Sequence, residues 1–321
     1  MPPAATLSLS APAPPGSALA TPAARMLRAR IGRTPLVPLA GLVANPAVEV
    51  WAKAEFLNLS GSVKDRAAWA MVQAGLASGA LTPERTLLDA TSGNTGIAYA
   101  MIGAALGLRV ALALPANASP ERKRILEAYG AELILTDPLE GTDGAQDEAR
   151  RRADAEPGRY HYPDQYNHPA NPRAHEVGTA AEVWQQTSGR VTHFVAGLGT
   201  TGTFVGTMRG LKARNPKVVG VAMQPDGPLH GMEGLKHLPT AKTPGIYDPD
   251  LPDEHVTVTT DEAFQMARRL AREYGLFVGV SAGSNVAAAQ RVAERLDSGL
   301  VVTVLCDGGE RYLSNPMWEA A

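Results

Sequence analysis

Ser60-Gly61-Ser62-Val63-Lys64-Asp65-Arg66 is the stretch whose reading decides the fold. Before it, Val48 to Phe56 carries Val48, Val50 and Ala52 in strand-like alternation; after it, Asp65 to Ala77 is a helical run of Ala, Trp, Met, Val and Leu. Lys64 therefore falls at a strand-to-helix junction, with Ser62 as the expected N-cap and Asp65 completing a box-like start. The positive end of a helix dipole disfavours an ammonium, and apolar neighbours act in the same direction, so a lysine there suits attack on an aldehyde as a free amine. A solvated lysine in a first turn explains the same heptapeptide, and the rest of the chain has to choose between the two.

Outward from this stretch the chain alternates strand and helix. Strands are expected at Val48 to Ala54, Thr86 to Ala90, Val110 to Leu114, Leu133 to Thr136, Thr192 to Ala196, Val218 to Met223, Val256 to Thr259 and Val301 to Cys306. Most are near-continuous apolar runs, as in a parallel sheet covered on both faces. Between them, Ser119-Pro120-Glu121 opens a helix that ends near Gly130, and Thr260-Asp261-Glu262 opens another that ends before Gly275. The pattern predicts an α/β fold of open, mostly parallel twisted sheets flanked by helices, with sites at the carboxyl ends of strands.

The 321 residues suggest about two domains. With 45% apolar residues and a formal net charge of −2, bulk electrostatics draws in neither nucleic acid nor an anionic membrane. No uncharged apolar run approaches the length of a membrane span. The single cysteine, Cys306, excludes an intramolecular disulfide and fits a reducing cytoplasm. Residues 1 to 25 are Ala, Pro and Ser with no charge before Arg25, so a disordered tail is expected and Met26 is a candidate start. Tyr160 to Pro172, with weak periodicity and several prolines, reads as the crossing between the two domains.

Three further glycine-rich turns, each read as following a strand and opening a helix, carry the chemistry. Thr91-Ser92-Gly93-Asn94-Thr95-Gly96 offers hydroxyls and backbone N–H groups to a carboxylate or phosphate, although a simple capped turn has the same composition. Gly197-Leu198-Gly199-Thr200-Thr201-Gly202-Thr203 satisfies G-x-G-x-x-G and is followed at Asp226 by an acid, so an NAD-dependent dehydrogenase is a rival reading. Its hydroxyls suit a single terminal phosphate better, and a dinucleotide leaves Lys64 without a role. Gly279-Val280-Ser281-Ala282-Gly283 matches the hydrolase nucleophile elbow, but no histidine follows Ser281. The histidines form no H-E-x-x-H pair, and no catalytic metal is expected. A lysine for an aldehyde, a hydroxyl-rich cup for a phosphate and an anion site for a carboxylate together point to pyridoxal 5′-phosphate acting on an amino acid.

The order of these motifs resembles that of the cysteine synthase (O-acetylserine sulfhydrylase) family, pyridoxal-phosphate enzymes of the tryptophan-synthase-β fold type, also called fold type II. Thr34-Pro35-Leu36-Val37, Gly61 to Arg66, Thr91 to Gly96, Gly199 to Thr203 and Gly309-Glu310-Arg311-Tyr312-Leu313-Ser314 carry the likeness over about residues 27 to 315. Trp184-Gln185-Gln186-Thr187 and Cys306-Asp307 resemble the cysteine synthase B branch more closely. The resemblance implies that Lys64 carries the cofactor aldehyde and moves the Cα proton, that Asn94 bonds the phenolic oxygen, and that Gly199, Thr200, Thr201, Gly202 and Thr203 hold the phosphate. It implies Thr91, Ser92, Thr95 and Gln165 for the substrate carboxylate and Ser281 at the pyridine nitrogen.

It further implies a smaller, mobile domain of residues 56–170, a larger one of residues 26–55 plus 171–316, and a cytoplasmic homodimer. The expected reaction is β-replacement on O-acetylserine or O-phosphoserine by sulfide or another sulfur donor to give L-cysteine. Lys236-His237 stands where the B branch commonly carries two arginines, so the leaving group and the donor both stay open. A cystathionine β-synthase and a serine or threonine dehydratase of the same fold type are the alternatives.

Overall fold

The computed structural model describes residues 17–91 and 93–318. Among these residues ten strands form two sheets. The larger is ordered β1 (Leu36–Pro38), β2 (Val48–Ala54), β10 (Gly299–Leu305), β7 (His193–Gly197), β8 (Val219–Pro225) and β9 (Glu254–Val258). The smaller is ordered β5 (Glu132–Thr136), β4 (Val110–Pro115), β3 (Thr86–Ala90) and β6 (Tyr160–His161). Every pairing is parallel except β1 with β2. Fold type II, with mostly parallel sheets flanked by helices, is the architecture observed.

The helices are α1 (Pro22–Arg30), α2 (Lys64–Ser78), α3 (Asn94–Leu106), α4 (Pro120–Ala128), α5 (Gly141–Ala155), α6 (Ala170–Ala174), α7 (Ala180–Gln186), α8 (Gly202–Lys212), α9 (Thr260–Tyr274) and α10 (Val280–Ala293). A single π-helical turn, His175–Thr179, joins α6 to α7. On the small sheet, α2 and α3 bury Met71, Val72, Ile97 and Ile102 against Leu87 and Leu112, while Ala145 and Ala149 of α5 cover the opposite face. On the large sheet, α9 and α10 cover one face and α7 and α8 the other. Both faces are therefore dry, which is why these strands read as unbroken apolar runs.

Several expectations shift in the folded chain. Two short edge strands, β1 and β6, were not anticipated, because three- and two-residue strands carry too little periodicity to read. Since Tyr160–His161 pairs with β3, the crossing between the sheets begins only after it. Order also starts earlier than expected: α1 opens inside the stretch read as tail, capped by Thr21, with Ala24 and Leu27 buried; residues 1–16 lie outside the described residues. No strand precedes the Gly279 turn, only an isolated bridge between Val278 and Gly308. Val63, not Ser62, stands at the N-cap of α2, with no side-chain cap bond. Ser62 Oγ accepts from Lys64 N at 3.3 Å in the turn before it, and Asp65 reaches back past Ser62 to the backbone N–H of Ser60 at 2.6 Å and to the Ser60 hydroxyl. Burial pushes the Asp65 carboxyl up to about 6, with the Ser60 bonds acting against that rise.

What fixes the start of α2 is a buried ion cluster. Arg66 donates to both oxygens of Glu55, Nε at 2.7 Å and Nη2 at 2.8 Å, and to both oxygens of Glu182, Nη1 at 2.7 Å and Nη2 at 2.8 Å. Lys53, fully buried in β2, donates to Glu182 at 2.7 Å and to the Thr34 carbonyl. Thr34 Oγ1 in turn donates to Glu55 at 2.7 Å. Burial works to raise the Glu182 carboxyl, but Arg66 and Lys53 outweigh it and hold the group down at about 2. Removing one carboxylate would leave two desolvated cations on the other, so Glu182→Gln is expected to cost about 3 kcal/mol in urea denaturation at neutral pH. Because its folded value lies below the ordinary 4.5, Glu182 stabilises fully above 4.5 and loses that contribution as pH falls through about 2. The wild-type and Glu182→Gln stabilities are therefore expected to converge as pH is lowered toward about 2.5.

Candidate active site

The carboxyl ends of β3, β7, β8 and β10 face the start of α2, and the turns that leave them enclose one cleft between the sheets. Its inner part is lined by Lys64, Asn94, Gly199, Thr200, Thr201, Thr203, Ser281, Asn285 and Cys306. Its outer part shares Lys64, Asn94, Gly199, Thr200 and Glu233 and adds Thr91, Thr95, Gln165, Arg122 and Tyr312. Lys64 is thus common to both. The strand-to-helix reading of residues 60 to 66 puts it there, and Val63 N–H to Cys306 O at 2.8 Å ties that turn to the end of β10.

The cup runs from Gly197 into α8. Thr201 takes a left-handed conformation (φ 71°) as it caps the helix, which turns the cup's backbone inward. Its Oγ1 is buried and has no hydrogen-bond partner within the chain. Thr200 Oγ1 accepts from Asn171 Nδ2 at 3.1 Å, and Thr203 Oγ1 lies 3.3 Å from His175 Nε2. Burial drives His175 down to about 3, so the imidazole is neutral, with Nδ1 2.9 Å from Thr179 Oγ1. Glycines bring these layers together: a Cβ on Gly202 would collide with Asn171, and one on Gly199 with the Gly234 carbonyl. Asp226, the acid a dinucleotide site would need, is exposed and lines neither part of the cleft.

The turn after β3 is already arranged. Thr91 Oγ1 accepts from Gly93 N at 3.2 Å and Gly96 N at 3.3 Å, which directs its own proton away from the turn. Thr95 Oγ1 donates to Gln165 Oε1 at 2.8 Å, while Gln165 Nε2 donates to Ala90 O at 2.9 Å. Ser92 lies outside the described residues. Asn94 has a partner that leaves no ambiguity about its flip, since an arginine only donates. Arg311 donates to its Oδ1, and its Nδ2 donates to Asp307 Oδ2 at 2.6 Å.

Ser281 sits in the first turn of α10, beside Cys306, whose thiol burial pushes up to about 11. Asn285, one turn later, accepts from Gly197 N at 2.8 Å and donates to Val304 O at 2.8 Å, so α10 is pinned to the ends of β7 and β10 together.

The structure thus brings together every described residue named from the motifs, Gly202 forming the wall behind the cup. Sequence reasoning missed Asn171, His175 and Asn285, which support that set, and gave no role to Asp307, Arg311 and Tyr312 although it singled out their motifs. Arg122 and Glu233 were also missed. Each of these residues also has a contact across a longer sequence separation, such as Asn94 with Asp307 and Arg311, Gly197 with Asn285, or Arg122 with Glu233.

A family profile described as pyridoxal-phosphate dependent enzyme matches residues 27–307. The chain is 48% identical to a cysteine synthase of Aquifex aeolicus over 295 residues, covering 90% of each chain. It is 44% identical to cysteine synthase B of Escherichia coli over 288 residues, covering 90% of this chain and 94% of that one. Among solved structures it superposes on cysteine synthase of Entamoeba histolytica with a TM-score of 0.87 at 34% identity, covering 92% of this chain and 90% of that one.

The unpartnered hydroxyl makes the cup testable. Thr201→Val removes no internal hydrogen bond, so the stability of the ligand-free protein is expected to change by less than about 1 kcal/mol. Affinity for a phosphate monoester, measured by calorimetry, is expected to fall by about tenfold.

Proposed function

The chain belongs to the family of pyridoxal-phosphate-dependent enzymes, and we propose that it is a cysteine synthase, forming L-cysteine from an activated serine and a sulfur donor. The observation that supports this best is the single cleft shared by Lys64, Asn94, the cup and Ser281 on one side and by Thr91, Thr95 and Gln165 on the other. The residues present fit the cofactor. A phosphate needs donors, and the cup offers a buried Thr201 hydroxyl with no partner, backbone N–H groups at the start of α8 and the positive end of that helix.

When bound, pyridoxal phosphate supplies an aldehyde that captures amines and a conjugated ring that takes up the electron pair of a departing proton. Lys64 Nζ would hold that aldehyde and, as a free amine, would receive the Cα proton of the substrate. Asn94, its flip set by Arg311, keeps a second Nδ2 proton for the phenolic oxygen. Gly199 to Thr203 fix the phosphate, and Thr200 and Thr203 are oriented for it by Asn171 and His175. Ser281 offers the ring nitrogen a hydroxyl, which does not hold it protonated as a carboxylate would, and this favours prompt loss of a β-leaving group.

Thr91, Ser92, Thr95 and Gln165 orient the substrate carboxylate, with Gln165 and Thr95 already bonded to each other. Residues 56–170 act as the smaller domain, closing over the substrate and excluding water. The enzyme works as a cytoplasmic homodimer on O-acetylserine or O-phosphoserine, and sulfide or another sulfur donor takes the place of the β-substituent. No helix among the described residues is long and apolar enough to cross a membrane.

Purified protein is expected to carry a visible absorbance band that changes when O-acetylserine or O-phosphoserine is added without sulfide, and to make cysteine once sulfide is supplied. A colourless protein that takes up no pyridoxal phosphate would end this reading. Lys64→Ala is expected to lower turnover by on the order of 10³-fold or more, as loss of a positioned proton carrier does, with the phosphate still bound.

A further inference from the structure

Arg122 and Glu233 have no part in the chemistry above, yet they meet at the mouth of the cleft. Arg122 stands in the first turn of α4, beside the small sheet, with its backbone N–H bonded to the Ser119 cap. Glu233 stands in the loop after β8. Their side chains form an ion pair from Nη1 to Oε2, linking the two halves of the cleft. The partners differ in freedom: the Arg122 side chain is 6% exposed and that of Glu233 46%. Below the guanidinium lies the Tyr312 ring, its centroid 5.0 Å away, and Tyr312 is itself held by its hydroxyl on Asp307 at 2.6 Å.

Arg122, Thr142, Glu233, Gly234 and Leu235 line both the outer part of the cleft and the groove beyond it, so the ion pair forms the wall between them. On the inner side, Arg122 Nη1 and Cζ come within 3.5 and 3.6 Å of where a Cβ on Gly93 would stand. The nitrogen that holds Glu233 therefore lies against the turn that carries Thr91.

A guanidinium in a dry site gains from each carboxylate it keeps, because its charge is poorly screened there. An exposed carboxylate, by contrast, regains water when it lets go. From this juxtaposition we propose that Arg122 is a further binding residue, beside Thr91, Ser92, Thr95 and Gln165, for the α-carboxylate of the amino-acid substrate, and that Glu233 is a resident counter-ion, displaced as the substrate enters. The exchange keeps a carboxylate at this edge of the guanidinium in both states and selects for ligands that bring their own. This inference rests on the reading of the cleft as an amino-acid site.

The test is calorimetric binding of L-serine, which lacks a good leaving group, and of L-serinamide, which lacks the carboxylate, to cofactor-loaded protein at constant ionic strength. Arg122→Gln is expected to weaken L-serine about tenfold or more and to leave L-serinamide unchanged. Glu233→Gln, which removes the competitor, is expected to tighten L-serine about threefold or more. A purely structural latch predicts something else: both variants would weaken both ligands. Equal weakening of serine and serinamide by Arg122→Gln, or an unchanged or weaker constant for serine in Glu233→Gln, overturns the proposal. Should Arg122→Gln fail to load cofactor, Arg122→Lys keeps the charge without the planar fork, and its smaller loss must again be confined to L-serine. Failure of wild-type protein to take up the cofactor would instead count against the functional reading.

Discussion

The guanidinium of Arg66 is the group on which the arrangement of the rest depends. It is buried in the first turn of α2, two residues after Lys64, and it is gripped by Glu55 at the end of β2 and by Glu182 of α7. Burial alone would lower its pKa; the two carboxylates outweigh that, and the group is held firmly charged. Two cations and two carboxylates balance in this cluster, with Lys53 as the second cation. Such a cluster adds little net stability compared with an apolar core of equal shape, but its bond directions admit one geometry. That geometry fixes the axis and starting point of α2, and so the place from which Lys64 enters the cleft.

A second set of polar contacts performs the same service from the large-sheet side. The segment after β10 sends Asp307 and Arg311 to Asn94 and lays the Tyr312 ring under Arg122. Arg311 also donates to the Ser60 carbonyl, so the turn before Lys64 and the turn after β3 hang on one side chain. Among the described residues the two sheets share no ladder, and side-chain contacts such as these link them. Side-chain contacts of this sort are what a closing motion would have to preserve or exchange.

The parts legible in the sequence are those in which function and local backbone coincide. Gly199 and Gly202 are glycines because the Gly234 carbonyl and the Asn171 side chain of α6 leave no room for a Cβ, and Thr201 lies between them in the left-handed turn. Lys64, Asn94 and Ser281 stand in or beside the first turns of helices that could be read from their apolar runs. The supporting layer was hidden for the converse reason. His175 sits in a π-helical turn with nothing unusual in its neighbours, and Asn285 looks like any polar residue in a helix until its bonds to Gly197 and Val304 are seen. Asp65 was misread because the nearest acceptor geometry suggested Ser62, whereas the tight turn at Gly61 (φ 86°) brings Ser60 closer.

The sequence by itself determined the α/β alternation, the positions of the main strands and the kinds of group available: an amine, a hydroxyl-rich cup and an anion-binding turn. Each follows from interactions within about ten residues, where periodicity, capping and glycine conformation act directly on the chain. Only the tertiary structure decided that these groups share one cleft and which side chains hold them in place. Those contacts join residues as far apart as Asn94 and Arg311, or Arg122 and Glu233. No local preference encodes such pairings; they exist because parallel strands deliver their carboxyl ends, and the turns that leave them, to the same edge of the fold.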